Sequence, residues 1–141
     1  MLKVVPDVNV LVSSALQARG PSGRIRAAWR RGELALVTTD AIIADVDKVL
    51  HRPHIFGKYP LTDELIQTFL VTLRKRAIVT PAHLHLHVVQ DDPDDDIVIV
   101  AAVEAQADYI VSGDPHLKDL GSYADIPIVS PADFVVRERI S

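Results

Sequence analysis

The chain has 141 residues, 48% of them hydrophobic, and a formal net charge of −4; that length is one domain by the usual prior and can bury roughly 70% of the surface its unfolded form would expose. It contains no cysteine, which excludes a disulfide framework and thiolate metal ligands and is compatible with a reducing compartment. No apolar run approaches the roughly 18 residues of a membrane span, and the acidic balance excludes the global basic footprint of many nucleic-acid binders. A polyanionic partner must then be met by a local patch or through a bound cation.

Taken in chain order, the apolar period alternates between that of a strand and that of a helix. Residues 2–6 are a short buried-strand run ending at Asp7; Lys3 inside it speaks for a strand rather than a signal peptide, so a cytoplasmic protein is expected. Residues 8–17 predict a helix opening directly after Asp7, with the break at residues 20–23. Ser22 is the predicted N-cap of a helix over 23–31, which Gly32 ends. Residues 34–38 are a second, β-branched strand. Thr39 caps a helix through Leu50 in which Ile42, Val46, Val49 and Leu50 keep the 3.6-residue period, and Pro53 stops it. A loop runs to Pro60. Thr62 then opens a helix carrying Ile66, Phe69, Leu70 and Leu73 on one face, and residues 77–80 form a third strand. Residues 83–89 alternate in a strand-like way before an acidic run. Asp95 or Asp96 begins an alanine-rich helix through Gln106, residues 108–111 and 126–129 are the fourth and fifth strands, and Pro131 sits in the first turn of a last helix, 132–139. Strands separated by helices imply parallel pairing through crossovers. The expectation is one α/β/α sandwich over residues 1–141 around a central parallel sheet of four to five strands.

Ligands of such sheets bind beyond the carboxyl ends of the strands. Asp7 follows the first strand and Asp114 the fourth. Asp95 and Asp96 open the helix before the fourth strand, and Asp45 lies in the first turns of the helix after the second. Separate parts of the chain thus send carboxylates to one edge. Two carboxylates about 4 Å apart repel by roughly 4 kcal/mol at an effective dielectric near 20, so either pKa values rise or a divalent ion fills the gap. Hard oxygen donors favour Mg²⁺ or Mn²⁺ over zinc. Such an ion can activate water and neutralise charge developing on a phosphodiester. Each acid also has a plainer reading. Asp7 is a good helix N-cap, Asp45 reads as a solvated helix residue, residues 94–96 suit a helix start, and Asp114 can cap a short helix. None of these explains why all fall at one edge.

Four motifs carry a resemblance that runs nearly end to end. They are the apolar run into Asp7-Val8-Asn9; Thr39 to Leu50, leading into Arg52-Pro53; Asp92-Pro93-Asp94-Asp95-Asp96, followed by Ala101-Ala102; and Ala107 to Asp114, with Ile128-Val129-Ser130-Pro131 beyond. In these the chain resembles the PIN-domain family, particularly the toxin components of toxin–antitoxin systems (VapC-related). The resemblance implies an acidic quartet of Asp7, Asp45, Asp95 and Asp114, with Asn9, Ser112 and Asp96 in support. It further implies Mg²⁺ or Mn²⁺ held by Asp7, Asp95 and Asp114, cleavage of single-stranded RNA, homodimers and a neutralising antitoxin protein. The chain departs from the family at Asp45, where glutamate is usual; the side chain is one methylene shorter, which favours a water-mediated role.

Arg24, Arg26, Arg30 and Arg31 around Trp29, and Arg74-Lys75-Arg76, are the basic clusters. They read either as solvated helix faces or as a track for an RNA backbone. His83, His85 and His87 alternate as metal ligands can, or as an exposed edge strand does; His116, two residues past Asp114, suits substrate contact or a helix start. Two other functions compete with the nuclease. A phosphoryl-transfer enzyme with Asp7 as nucleophile expects a second Asp where Asn9 stands, and a non-catalytic PIN-like module binding RNA or protein is favoured by Asp45.

Overall fold

Burial on both faces makes the first strand a continuous apolar run: Val4 and Val5 of β1 (Lys3–Pro6) are fully buried, as a central parallel strand requires. The structure, a computed structural model, describes residues 1–84 and 93–141, the side chains of 93–95 excepted. From β1 the chain enters α1 (Val8–Leu16) and α2 (Pro21–Arg30), then β2 (Ala35–Thr39) and α3 (Asp40–Leu50). A single turn, α4 (Pro53–Phe56), precedes the long α5 (Asp63–Arg76) and β3 (Ile78–Thr80). Next come α6 (Pro93–Ala105), β4 (Tyr109–Val111), α7 (Pro115–Leu120), β5 (Ser122–Tyr123), β6 (Ile126–Val129) and α8 (Pro131–Arg137).

The sheet runs β3-β2-β1-β4-β6-β5. Its first five strands in that order are parallel, as expected; β5 adds a sixth, antiparallel edge that the sequence pattern did not disclose. Between β5 and β6 only Ala124 and Asp125 intervene, both at positive φ (49° and 64°), the backbone of a tight I′ hairpin. That turn is usually signalled by Asn-Gly or Asp-Gly, and neither is present.

Several helix starts are where the sequence puts them. The Thr39 hydroxyl accepts from the Ile42 N–H (3.1 Å) and the Thr62 hydroxyl from the Leu65 N–H (3.2 Å), each satisfying a donor that the helix itself cannot. The start of α2 is a correction: it begins at Pro21 with Gly20 as N-cap, and Ser22 lies inside the helix. Proline at N1 carries no N–H to orphan and has a pre-set φ. At its other end Gly32, at φ +77°, permits a Schellman closure in which the Glu33 N–H donates to the Ala28 carbonyl (3.0 Å). Of the predicted strand over 83–89, residues 83 and 84 are not in a strand. The remainder, with His85 and His87, lies outside the described residues.

The core joins both faces of the sheet to the helices through Val4, Leu36, Ile43, Leu70, Ile99, Ile110 and Phe134. No helix among the described residues is long and apolar enough to cross a membrane.

Candidate active site

The strand order reverses between β1 and β4. From β1 the chain builds outward through β2 to β3, whereas β4 leads to β6 on the other side. Such a switch point leaves a crevice at the carboxyl ends of the two strands, because their following loops diverge to opposite sides. The register fixes what fills it. Val5 pairs with Ile110 and Pro6 with Val111, so the next step sets Asp7 beside Ser112, and the Asp7 N–H continues the ladder to the Val111 carbonyl (3.0 Å).

The Ser112 hydroxyl is completely buried and joins two acids. It donates to Asp7 Oδ2 and accepts from the Asp114 backbone N–H (2.9 Å). Asp7 Oδ1 accepts from the Val10 N–H (2.8 Å) and caps α1, while Asp114 Oδ1 accepts from the His116 N–H (2.8 Å) and caps α7. Both acids therefore fill the plainer capping role as well. Only 5% of Asp7 is exposed. Burial pushes its carboxyl above the ordinary range, the hydrogen bonds from Ser112 and Val10 oppose that, and the nearby Asp114 charge pushes it up again.

The other expected residues lie as follows. Asp45 is half-buried on α3, which packs against the α1 helix that Asp7 caps. Asn9 is exposed in the first turn of α1, and its backbone N–H helps to stabilise the Asp7 carboxylate. Asp96 is buried near the start of α6. Asp95 stands in the first turn of α6, but its side chain lies outside the described residues, as does that of Asp94; Asp92 lies outside them entirely. Asp7 and Asp114 are in electrostatic contact, and among the described residues no group of three or more His, Asp or Glu meets closely enough to hold a metal ion. No lysine or arginine among them forms an ion pair with Asp7, Asp45 or Asp114; His116 Nδ1 stands 3.9 Å from Asp114 Oδ1.

A PIN-domain family model matches residues 3–116, a span that takes in β1 and the loop after β4. The chain belongs to the PIN-domain family. No curated protein resembles it closely enough to count as a match. PIN domains are generally nucleases and typically use divalent metals, so this is a nuclease-type fold. The donors at the switch point fit such an ion: they are hard carboxylate oxygens, one of them deeply buried, with no neutralising lysine or arginine among the described residues.

The arginines of α2 have individual attachments. Arg24 Nη2 donates to the Ile140 carbonyl (2.6 Å), tying α2 to the C-terminal segment. Arg26 lies over the Phe69 ring, 4.8 Å from its centroid, and Arg31 pairs with Glu33. Arg30 is exposed.

Sequence reasoning passed over Glu104 of this PIN domain. Its carboxylate accepts from the N–H groups of Ala82, His83 and Leu84 (2.8, 2.7 and 3.2 Å), fastening the turn after β3 to α6, the helix that begins with the acidic run. A lone glutamate in an alanine-rich helix gives no sign of this; the signal lies in Ala82 at φ +56°, a backbone property.

Replacing Ser112 by alanine tests its bridging role. Asp7 loses its side-chain donor and the Asp114 N–H its acceptor, an expected stability loss of about 1–3 kcal/mol for buried polar groups left unpaired. Because that hydrogen bond lowers the Asp7 pKa, the pKa of Asp7 rises further in Ser112→Ala. A carboxyl titration followed by NMR checks this, and an unchanged Asp7 midpoint contradicts the role.

Proposed function

We propose that this PIN domain is a divalent-metal-dependent endoribonuclease that cleaves single-stranded RNA. The observation that carries the reading is the Asp7–Ser112–Asp114 group at the switch point between β1 and β4, where a buried carboxyl is pushed towards neutrality beside a second carboxylate. Asp7, Asp114 and Asp95 would hold Mg²⁺ or Mn²⁺, with Asp45 acting through water and Asp96 and Asn9 in support. When bound, the ion supplies activation of water and charge neutralisation on the phosphodiester. The chain's own part is positional. Ser112 fixes the rotamer of Asp7 and holds the Asp114 backbone, and the two capping bonds anchor both carboxylates at helix starts.

On the family resemblance, we extend the proposal to a toxin paired with an antitoxin protein, acting as a homodimer in the cytoplasm. Asp45 in place of glutamate supports a second reading, a PIN domain that binds RNA without cutting it. End-labelled single-stranded RNA incubated with Mg²⁺ or with Mn²⁺ separates the two. The proposal expects internal cleavage that EDTA stops, whereas retained binding with intact RNA in both ions favours the second reading. A trapped acyl-phosphate would instead revive the nucleophile role of Asp7.

A further inference from the structure

We infer that the C-terminal ends of α2 and α5 together form a second binding site for single-stranded RNA backbone, remote from the acids; its biological use rests on the RNA-cleaving reading above. Arg30 and Arg31 end α2, and Arg74, Lys75 and Arg76 make up the last turn of α5. Long side chains join the two helices. Arg76 Nη2 donates to the Arg30 carbonyl (3.5 Å), and Arg26, one turn back on α2, lies over Phe69, two turns back on α5. The cations are crowded enough that the charge of Arg30 adds to burial in lowering the Arg26 pKa. All five terminal cations are exposed. Glu33 is the one carboxylate paired with them among the described residues, and it is taken by Arg31.

A cation in the last turn complements a helix macrodipole, which accounts for one at each end. The excess is a local reversal of sign on a chain of net charge −4. Arginine supplies four of the five, and its planar fork matches a phosphate's oxygens where an ammonium presents a point charge. Five long cationic side chains outnumber the exposed apolar ones nearby, Val71 and Ile78, so charge rather than an apolar anchor dominates the surface. Such a surface suits a flexible polyanion.

The topology sets the distance. Helices α2 and α5 lead directly into β2 and β3, so their ends lie at the amino edge of the parallel sheet, whereas Asp7 and Asp114 lie at the carboxyl edge. Strands of this length rise roughly 15 Å between those edges at about 3.3 Å per residue. At about 3.4 Å per stacked nucleotide, an RNA must exceed roughly five nucleotides to touch both. The patch then favours long substrates without contacting the scissile bond.

The test is anisotropy of a labelled oligouridylate longer than that span, titrated with the full chain in EDTA over a range of salt. The variant is Arg30→Gln/Arg74→Gln/Lys75→Gln, which leaves the Arg76 cap and the Arg31–Glu33 pair in place. Three lost phosphate contacts at about 0.7 each predict a slope of log K against log salt shallower by about 2. Binding should also be at least about tenfold weaker in low salt. The single variant Lys75→Gln, expected to change the slope by about 0.7, keeps the test valid should the triple variant unfold. A shallower slope supports the site even if no RNA is ever cut, in which case the nuclease reading fails alone. An unchanged slope, or no binding by the parent chain, overturns the site even if the protein cleaves RNA. Competition by polyglutamate as strong as by oligouridylate overturns it in favour of an acidic protein partner.

Discussion

Asp7→Asn is expected to lower metal-dependent RNA cleavage by at least about a hundredfold, a loss that even outer-shell partners of metal sites can cause, while the metal-free protein melts at the same temperature as the parent or higher. Asparagine is as good an N-cap as aspartate, so α1 keeps its start, and the amide can still meet the Ser112 hydroxyl. What disappears is the charge. The Asp7 pKa is raised in the folded chain, chiefly by burial. Its contribution to stability is therefore complete below the unfolded carboxyl value near 3.9 and is lost as pH rises through the folded value. At neutral pH the metal-free parent bears that full penalty, and the asparagine variant does not. A bound divalent ion offsets it in the parent, adding about 2.7 kcal/mol at a hundredfold excess over Kd. Calorimetric melts with and without Mn²⁺ check both halves: the parent's Tm should rise with the ion and the variant's should not. Equal Mn²⁺ shifts in the two proteins would place the ion elsewhere.

The largest stability effect is expected at Gly23→Ala. A Cβ there would lie 2.2 Å from the Gln17 carbonyl oxygen and 2.5 and 2.6 Å from the Ala18 carbonyl oxygen and carbon. All three are backbone atoms of the connection between α1 and α2, so no side-chain rotation relieves the overlap. Alanine in a helix gains about 1 kcal/mol over glycine by propensity. Even so, α2 must move away from that connection, and an overlap with backbone this close belongs at the upper end of the usual overpacking cost, about 3 kcal/mol. The net loss should appear as a fall in Tm of roughly 10 °C. Gly113→Ala, where the added Cβ meets nothing within 4 Å, is the control and should melt within a few degrees of the parent. Because α1 is the helix that Asp7 caps, a shift at Gly23 should also weaken Mn²⁺ binding. A Gly23→Ala protein as stable as the parent contradicts the close approach of α2 to that connection.

Much of this architecture is legible in the residues because local signals and burial agree. Val4 and Val5, β-branched residues in a short apolar run, fit a doubly buried strand, and Thr39 and Thr62 precede apolar residues at helical spacing. Pro131 marks the start of the last helix, and the Ser130 cap before it is disclosed by the fold. Illegible features turn on backbone conformations that the residue types themselves do not signal. The start of α2 turns on the extended conformation of Gly20 rather than on the better-capping Ser22. Strand β5 exists only because Ser122 and Tyr123 find Pro127 and Ile126 across a turn of ordinary-looking residues.

The site divides along the same line. That Asp7 and Asp114 share an edge follows from parallel strands, which alternation of elements predicts. That Ser112 sits between them follows from register, which it does not: one residue of slip between β1 and β4 would turn Asp7 to the other face. The arginines show the converse. In the sequence they read either as solvated helix faces or as an RNA track; in the fold Arg24 and Arg26 are engaged internally, while Arg30 joins cations more than forty residues further along the chain.

Crystals of the full chain soaked in Mn²⁺ offer the most direct measurement. Anomalous density should appear within about 2.2 Å of carboxylate oxygens from both Asp7 and Asp114, the distance of a divalent ion bound directly to oxygen. A soak that leaves that crevice without an anomalous peak, while the same crystals take up Mn²⁺ elsewhere, would contradict the assignment of these two acids as the metal centre.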